Sequence, residues 1–460
     1  MDSKKGRLLI NIILLLSLGL PLLGSCAGSS FAVVDNELEN NGYSDGAGYT
    51  GSAGYTGGAD YAGAVKLLEK NKRKLYKTGD KILYYLDKGM LQHYARQYEE
   101  SSKLLQEGER AIEDAFTKSI TQEISTYLLN DNVRDYGGED YEDIYINVFN
   151  ALNYFHRGDR EGAMVEIRRM NNKLRYLSVR YDTAITGLQR KALENDTRIS
   201  PNPNAPTRFN DSALARYLGM LFHRDAGQYD DARIDRDLLL TAFANYPSIY
   251  AHQIPESLSG EMEIPEGMAR LNVIAFGGLS PVKQENVIRI PLPDNRWIKI
   301  ALPEMASRDS EIYKIELVLD DGQRFRLDLL EDMASVAKET FRARQQLIYI
   351  KTILRATAKT ASSSVSGAFA KKADGIGGFF LGLYSIAAQA FAEVSEQADL
   401  RVSRYFPARA YVTGINLPPG RHSFNIKYYN RSGKEITSIW RENMNITENA
   451  LNLVEAVCLK

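Results

Sequence analysis

The sequence predicts an α+β protein: an N-terminal all-α array of helical hairpins, then a β-sandwich-like domain with a helical insertion. Three observations carry this. In Asn130–Leu174 apolar residues recur at helical spacing on both sides of a tight break, Arg157-Gly158-Asp159. From about Arg270 the apolar period falls to two, and short apolar runs alternate with turn residues. Between about Glu331 and Glu396 a helical pattern interrupts the strands. The expected parts are residues 1–25 (leader), 26–63 (tether), 64–255 (helical domain) and 265–460 (β-rich domain, insertion about 331–396).

The leader comes first. Lys4, Lys5 and Arg7 precede an apolar run from Leu8 to Leu23, which ends in Leu23-Gly24-Ser25-Cys26. A basic start, a short apolar core and small residues before a cut describe a signal peptide. The ending in Cys resembles a bacterial lipobox. That resemblance implies cleavage before Cys26 and acylation of Cys26 with palmitate-type chains. Several chains on one residue anchor a protein stably, where one is marginal. Ala27 follows the Cys, not Asp, which favours the outer over the inner membrane under enterobacterial sorting rules. The chain has two cysteines. With Cys26 acylated, Cys458 has no disulfide partner, and a buried thiol in a final strand is expected.

Residues 29–63 carry GYSDGA, GYTGSA and GYTGGA with period six, then DYAGA. Such Gly-rich chain reads as a flexible tether. The next stretch is basic: Lys66, Lys70, Lys72, Arg73, Lys74, Lys77 and Lys81. Near a membrane it would meet anionic headgroups; otherwise it is a solvated helix face. The whole chain has a net charge of −1, so there is no global basic footprint for nucleic acid.

Three segments share one pattern: Gly89–Gln106, Ala151–Ile167 and Tyr217–Leu239. Each has a helix, a polar turn, and a Tyr or Arg followed three residues on by a small residue: Tyr98/Ser101, Arg160/Ala163, Tyr229/Ala232. The pattern resembles the tetratricopeptide repeat (TPR). The wide spacing between copies leaves room for degenerate helix pairs around Ile112–Leu129 and Leu174–Leu193. The stretch LLNDNVRDYGGEDYEDIYINVFNALNYFHRGDREGAMVEIRRMNNKL, with SEQADLR (Ser395–Arg401) and NLPPGRHSFNIKY (Asn416–Tyr428), resembles an uncharacterised family of bacterial TPR-containing cell-envelope lipoproteins. The resemblance covers most of the chain after Cys26. It implies an envelope lipoprotein with no known enzyme activity. Some relatives are encoded near lipoproteins that resemble activators of peptidoglycan synthases. A Pro-rich linker, Pro201 to Pro206, then breaks the helical half.

In the second half, candidate strands are Leu271–Phe276, Val287–Pro291, Trp297–Ala301, Tyr313–Leu319, Arg324–Leu329, Arg409–Ile415, Ser423–Tyr429, Glu435–Trp440 and Leu451–Cys458. Asp321-Gly322 is a hairpin signal. Inside the insertion, Gly375–Ala392 carries no charge. Its eighteen residues reach the lower limit for a membrane span. A buried helix, a membrane contact and an oligomer contact all fit it.

Motifs for chemistry are missing. The five histidines form no HxH or HExxH pair, and there is no P-loop or GxSxG. The acidic run Glu139-Asp140-Tyr141-Glu142-Asp143 reads as ordinary charge at a helix start. No cofactor or metal is expected, and no enzyme. The expected function is a membrane-anchored, non-catalytic scaffold that binds an envelope protein in a helical groove. Tyr94, Asn147, Asn150, Asn153, Tyr154 and Arg168 are the candidate groove residues. Alternatives are a homo-oligomeric envelope assembly or secretion component using residues 375–392, and a peptidoglycan-associated enzyme or enzyme activator.

Overall fold

The computed structural model describes residues 26–40, 55–56, 59–126, 135–177, 185–187, 190, 209–291, 297–360 and 398–460. Helices α1 (Cys26–Asn40) and α2 (Tyr61–Leu75) pack together and lead into three hairpins. These are α3/α4 (Lys81–Tyr94, Tyr98–Thr126), α5/α6 (Asp140–His156, Arg160–Leu177) and α7/α8 (Ala213–Asp225, Tyr229–Asn245). Neighbouring hairpins stack, α4 against α5 and α6 against α7.

The three hairpin turns are the same structure. Their turn residues sit at positive φ: Arg96 at 62°, Gly158 at 79° and Gly227 at 72°. Each donates its N–H three residues back, to His93, Phe155 and Arg224; each following N–H donates five back, to Gln92, Tyr154 and His223. This double bond pattern closes the orphan carbonyls of the first helix. Five residues after each turn comes a fully buried small residue, Ser101, Ala163 or Ala232, where the helices approach. The Ser101 hydroxyl donates to the Gly89 carbonyl across the first hairpin, at 2.8 Å.

The β half has a four-stranded sheet in the order β11-β2-β8-β7: Asn452–Cys458, Ala269–Leu279, Pro407–Leu417 and Asp328–Asp332. The β11/β2 pair is parallel and the other pairs are antiparallel. A five-stranded sheet runs β1-β10-β9-β5-β6: Tyr55–Thr56, Glu435–Ile446, Gly420–Tyr429, Lys314–Leu319 and Arg324–Arg326. Strands β3 (Val282–Pro291) and β4 (Trp297–Ala306) form a separate hairpin. Helix α9 (Met333–Thr360) follows β7 and touches α5, β4 and β8.

Two cores result. Leu271, Val273 and Ala275 of β2 join Leu317, Phe424, Ile426 and Ile439 of the five-stranded sheet. Ile274 and Phe276, on the other face of β2, join the helices. Strand β2 is thus covered on both faces, which suits its nearly continuous apolar sequence. The helical and β halves share one core and are not separate packing units. Cys458 is a buried thiol in β11, outside any disulfide.

Several expectations change. Part of the 26–63 tether is docked: α1 buries Val34 and Leu38 against the fold, and Tyr55-Thr56 pairs with Arg441 and Trp440 of β10. The Arg324–Leu329 strand is two strands. β6 pairs with β5 and β7 with β8, so the chain changes sheets at Leu327. No separate helix pair starts at Ile112, because α4 runs unbroken through it to Thr126. Most of Leu174–Leu193 beyond Leu177, and all of Gly375–Ala392, lie outside the described residues.

Candidate functional site

The first helices of the hairpins, α3 and α5, meet an extended stretch of the same chain, residues 398–406. This stretch has no ladder partners, so its backbone groups need side-chain partners. The Ser403 N–H donates to Glu142 Oε1 (2.6 Å). The Arg404 N–H donates to Asp87 Oδ1 (2.7 Å), and the Ser403 hydroxyl does so at 2.8 Å. The Tyr94 hydroxyl donates to the Tyr405 carbonyl (2.9 Å). At the ends, Arg401 binds Asp80 at 3.2 Å and Arg404 binds Asp35 of α1 at 2.7 Å. A helical face that holds extended chain through its backbone is a peptide-recognition geometry, here filled from within.

The two carboxylates at its centre are buried. Burial pushes Asp87 up to about 6, against its donors Arg404 N–H, Ser403 and Tyr76. Burial, then the nearby Glu139 charge, pushes Glu142 up to about 7, against donation from Ser403 N–H, Glu139 N–H and Tyr136. The acidic run at 139–143 does start a helix, with Glu139 and Glu142 forming its capping box, and it is buried there. Glu139 binds Lys283, and Asp143 binds Lys173 at 2.7 Å.

A second polar junction joins α3 and α5 to the last strand. Glu455 of β11 accepts from His93 Nε2 (2.7 Å) and His156 Nε2 (2.8 Å). His93 Nδ1 lies 2.7 Å from Asn153 Oδ1. The Tyr98 ring stacks on His156 at 4.6 Å. Burial opposes a charge on His93, but the Glu455 charge and the hydrogen bonds to Glu455 and Asn153 together outweigh it and raise His93. Burial also acts against the Glu455 anion, yet the His93 charge and the His156 bond hold it well below the usual range.

The candidate groove residues fare unevenly. Tyr94, Asn147, Asn150 and Asn153 are all buried, so none is offered to another protein. Tyr94 and Asn153 serve the contacts above. Asn147 donates to Glu109 (3.0 Å) and Glu166 (2.5 Å), tying α5 to α4 and α6. Among the described residues Asn150 has no hydrogen-bond partner for either side-chain polar atom. Tyr154 is half-buried and accepts from Gln106 (2.8 Å). Arg168 alone is exposed. The physical reason is that α5 is covered on all sides: Tyr141, Ile144, Tyr145, Val148, Phe149 and Leu152 are buried, and the Asn face beside them is a seam against neighbouring elements.

Two further buried acids are saturated with donors. Glu331 accepts from Tyr145, Tyr250, Ser212 and the Leu214 N–H. Glu261 accepts from Arg224, Arg270 and Asn272. A cavity of about 220 Å³ lies at the rim of the five-stranded sheet, lined in part by His252, Tyr313, Arg326, Asp328 and Tyr411. That is below the roughly 300–1,000 Å³ usual for ligand pockets. Among the described residues no cluster of three or more His, Cys, Asp or Glu is arranged to hold a metal, and no helix is long and apolar enough to cross a membrane.

No protein-family model, curated protein or solved structure matches the chain. The residues that organise its centre, Asp87, Ser403 and Glu455, belong to no motif. One signal was nevertheless visible: Asp87 in ILYYLDKGML and Glu455 in LVEAVC are single acids in apolar runs. An acid there is either buried with a partner or misplaced.

Proposed function

We propose that the protein is a lipid-anchored scaffold of the cell envelope, acylated on Cys26 and not an enzyme. Its three hairpins act as a TPR-like solenoid, stiffened by a β-sandwich-like unit. The outer helices, not the inner face, receive the partner protein. One observation carries this reading: the inner face is already occupied by residues 398–406 and β11, while α6 and α8 leave Val165, Tyr176, Tyr229 and Ile234 exposed. Solenoids bind through such extended surfaces. The lipobox ending in Cys26 and the sequence resemblance to envelope lipoproteins support the location, with the outer membrane favoured over the inner.

The test is in-cell photocrosslinking from positions 176 and 234 in separate variants. The expected result is one envelope protein captured from both positions and lost on Val165→Glu. Adducts only to the protein itself would favour the homo-oligomer; no adduct from either position would refute the scaffold. Metabolic labelling with an alkyne fatty acid tests the anchor, and label that persists in Cys26→Ser would refute it.

A further inference from the structure

Helix α1 runs antiparallel to α2. The Phe31 ring sits 5.6 Å from Tyr76, just past the end of α2, and Glu37 reaches Gly63 near its start. Cys26 begins α1, five residues before Phe31. At 1.5 Å per residue it projects about 7 Å beyond that contact, past the C-terminal end of α2. That end is where positive charge collects. Lys66, Lys70, Arg73, Lys74, Lys77 and Lys81 are exposed, and none pairs with a carboxylate among the described residues. Lys72, between them, lies 3.6 Å above the Tyr84 ring. Of the acids nearby, Glu69 is engaged by Lys88 and Tyr84 and Asp80 by Arg401, while Asp135 lies exposed beside Gly79 and offsets one of the cations. The first nine residues of α1, CAGSSFAVV, carry no charged side chain.

We propose that the C-terminal end of α2, with Lys77 and Lys81, docks on the anionic phospholipid headgroups of the bilayer that holds the Cys26 chains. The inference rests on the anchor reading and adds an orientation to it. Acyl chains alone let a protein pivot freely. An uncharged helix start on the side of Arg73, Lys74, Lys77 and Lys81 fixes which side faces the lipid. A juxtamembrane basic cluster gains about 1 kcal/mol per Lys or Arg near an anionic surface and loses it beyond a Debye length. The outer helices α6 and α8 belong to hairpins further along the stack, so docking this end leaves them to a partner.

The experiment uses the full chain carrying Cys26→Ser, so that no acyl chain contributes. Co-flotation is measured with vesicles of phosphatidylcholine alone and of phosphatidylcholine and phosphatidylglycerol in equal parts. Binding to the zwitterionic vesicles is the reference for the apolar leader. The expected result is stronger binding to the anionic vesicles, reduced about 100-fold by neutralising Arg73, Lys74 and Lys77 to Gln. A control that neutralises Lys103, Arg110 and Lys434 changes net charge equally and is expected to leave binding within a few fold. Equal binding to both vesicles, or equal loss in the control, would overturn the proposal. If anionic binding holds but Cys26 takes no fatty-acid label in cells, the docking surface stands and the anchor reading fails.

Discussion

Protonation of Asp87 and Glu142 makes this fold more stable in mild acid than at slightly alkaline pH. Both folded values lie above the ordinary ones: about 6 against 3.8 for Asp87 and about 7 against 4.5 for Glu142. The folded state therefore binds these protons where the unfolded chain does not. The resulting stability is fully present below the unfolded values and is lost as pH rises through the folded ones. Linkage between pH 8 and pH 5 gives about 2.5 kcal/mol for Glu142 and about 1.4 kcal/mol for Asp87. Glu331, raised by burial, and His93, raised by Glu455 against its own burial, act in the same direction. The assay is urea denaturation of the wild type and of Asp87→Asn/Glu142→Gln at pH 5 and pH 8. The wild type is expected to gain stability on acidification. The variant should lose about 4 kcal/mol of that gain, because neither amide titrates. An unchanged pH dependence in the variant would show that these carboxyls do not control the grip on residues 403 and 404.

Three other outcomes follow from contacts already described. Glu455→Ala strips a buried acceptor from two histidines and should cost about 3–5 kcal/mol by denaturation at pH 6; a loss under 1 kcal/mol would refute the junction. Asn150→Leu should raise stability by about 1–2 kcal/mol, since it removes a buried amide without partners at similar volume; a lower melting temperature would contradict this. Gly138 lies at φ 79°, where an added Cβ would come within 2.6 Å of Ile112. Gly138→Ala should therefore destabilise by about 2 kcal/mol or more, and a thermal melt unchanged from wild type would argue against that packing.

Local periodicity made much of the fold legible. The alternating runs near Leu271, Arg409 and Ser423 became β2, β8 and β9, and the Arg157-Gly158-Asp159 break became a hairpin turn. Sheet membership was not legible. The switch at Leu327 depends on which partner each short strand finds, and no local residue announces it. Four of the six candidate groove residues are buried, and three of them for a related reason. Asn147, Asn150 and Asn153 recur every third residue and look like a polar stripe. Their environment is set by α4, α6 and β11, which approach from distant parts of the chain. A polar stripe with tyrosines and aliphatics on every other side was the sign of a buried seam.

The position of β11 has a consequence in time. It pairs in parallel with β2, and Glu455 within it reaches back 362 residues to His93. Synthesis makes this strand long after β2 and the helices it joins. Until it arrives, β2 lacks a neighbour and two helices lack their acceptor. Contacts so distant along the chain make folding slow. The helical half therefore stays unsealed until this strand is made, and the strand acts as a latch that commits the whole molecule at once.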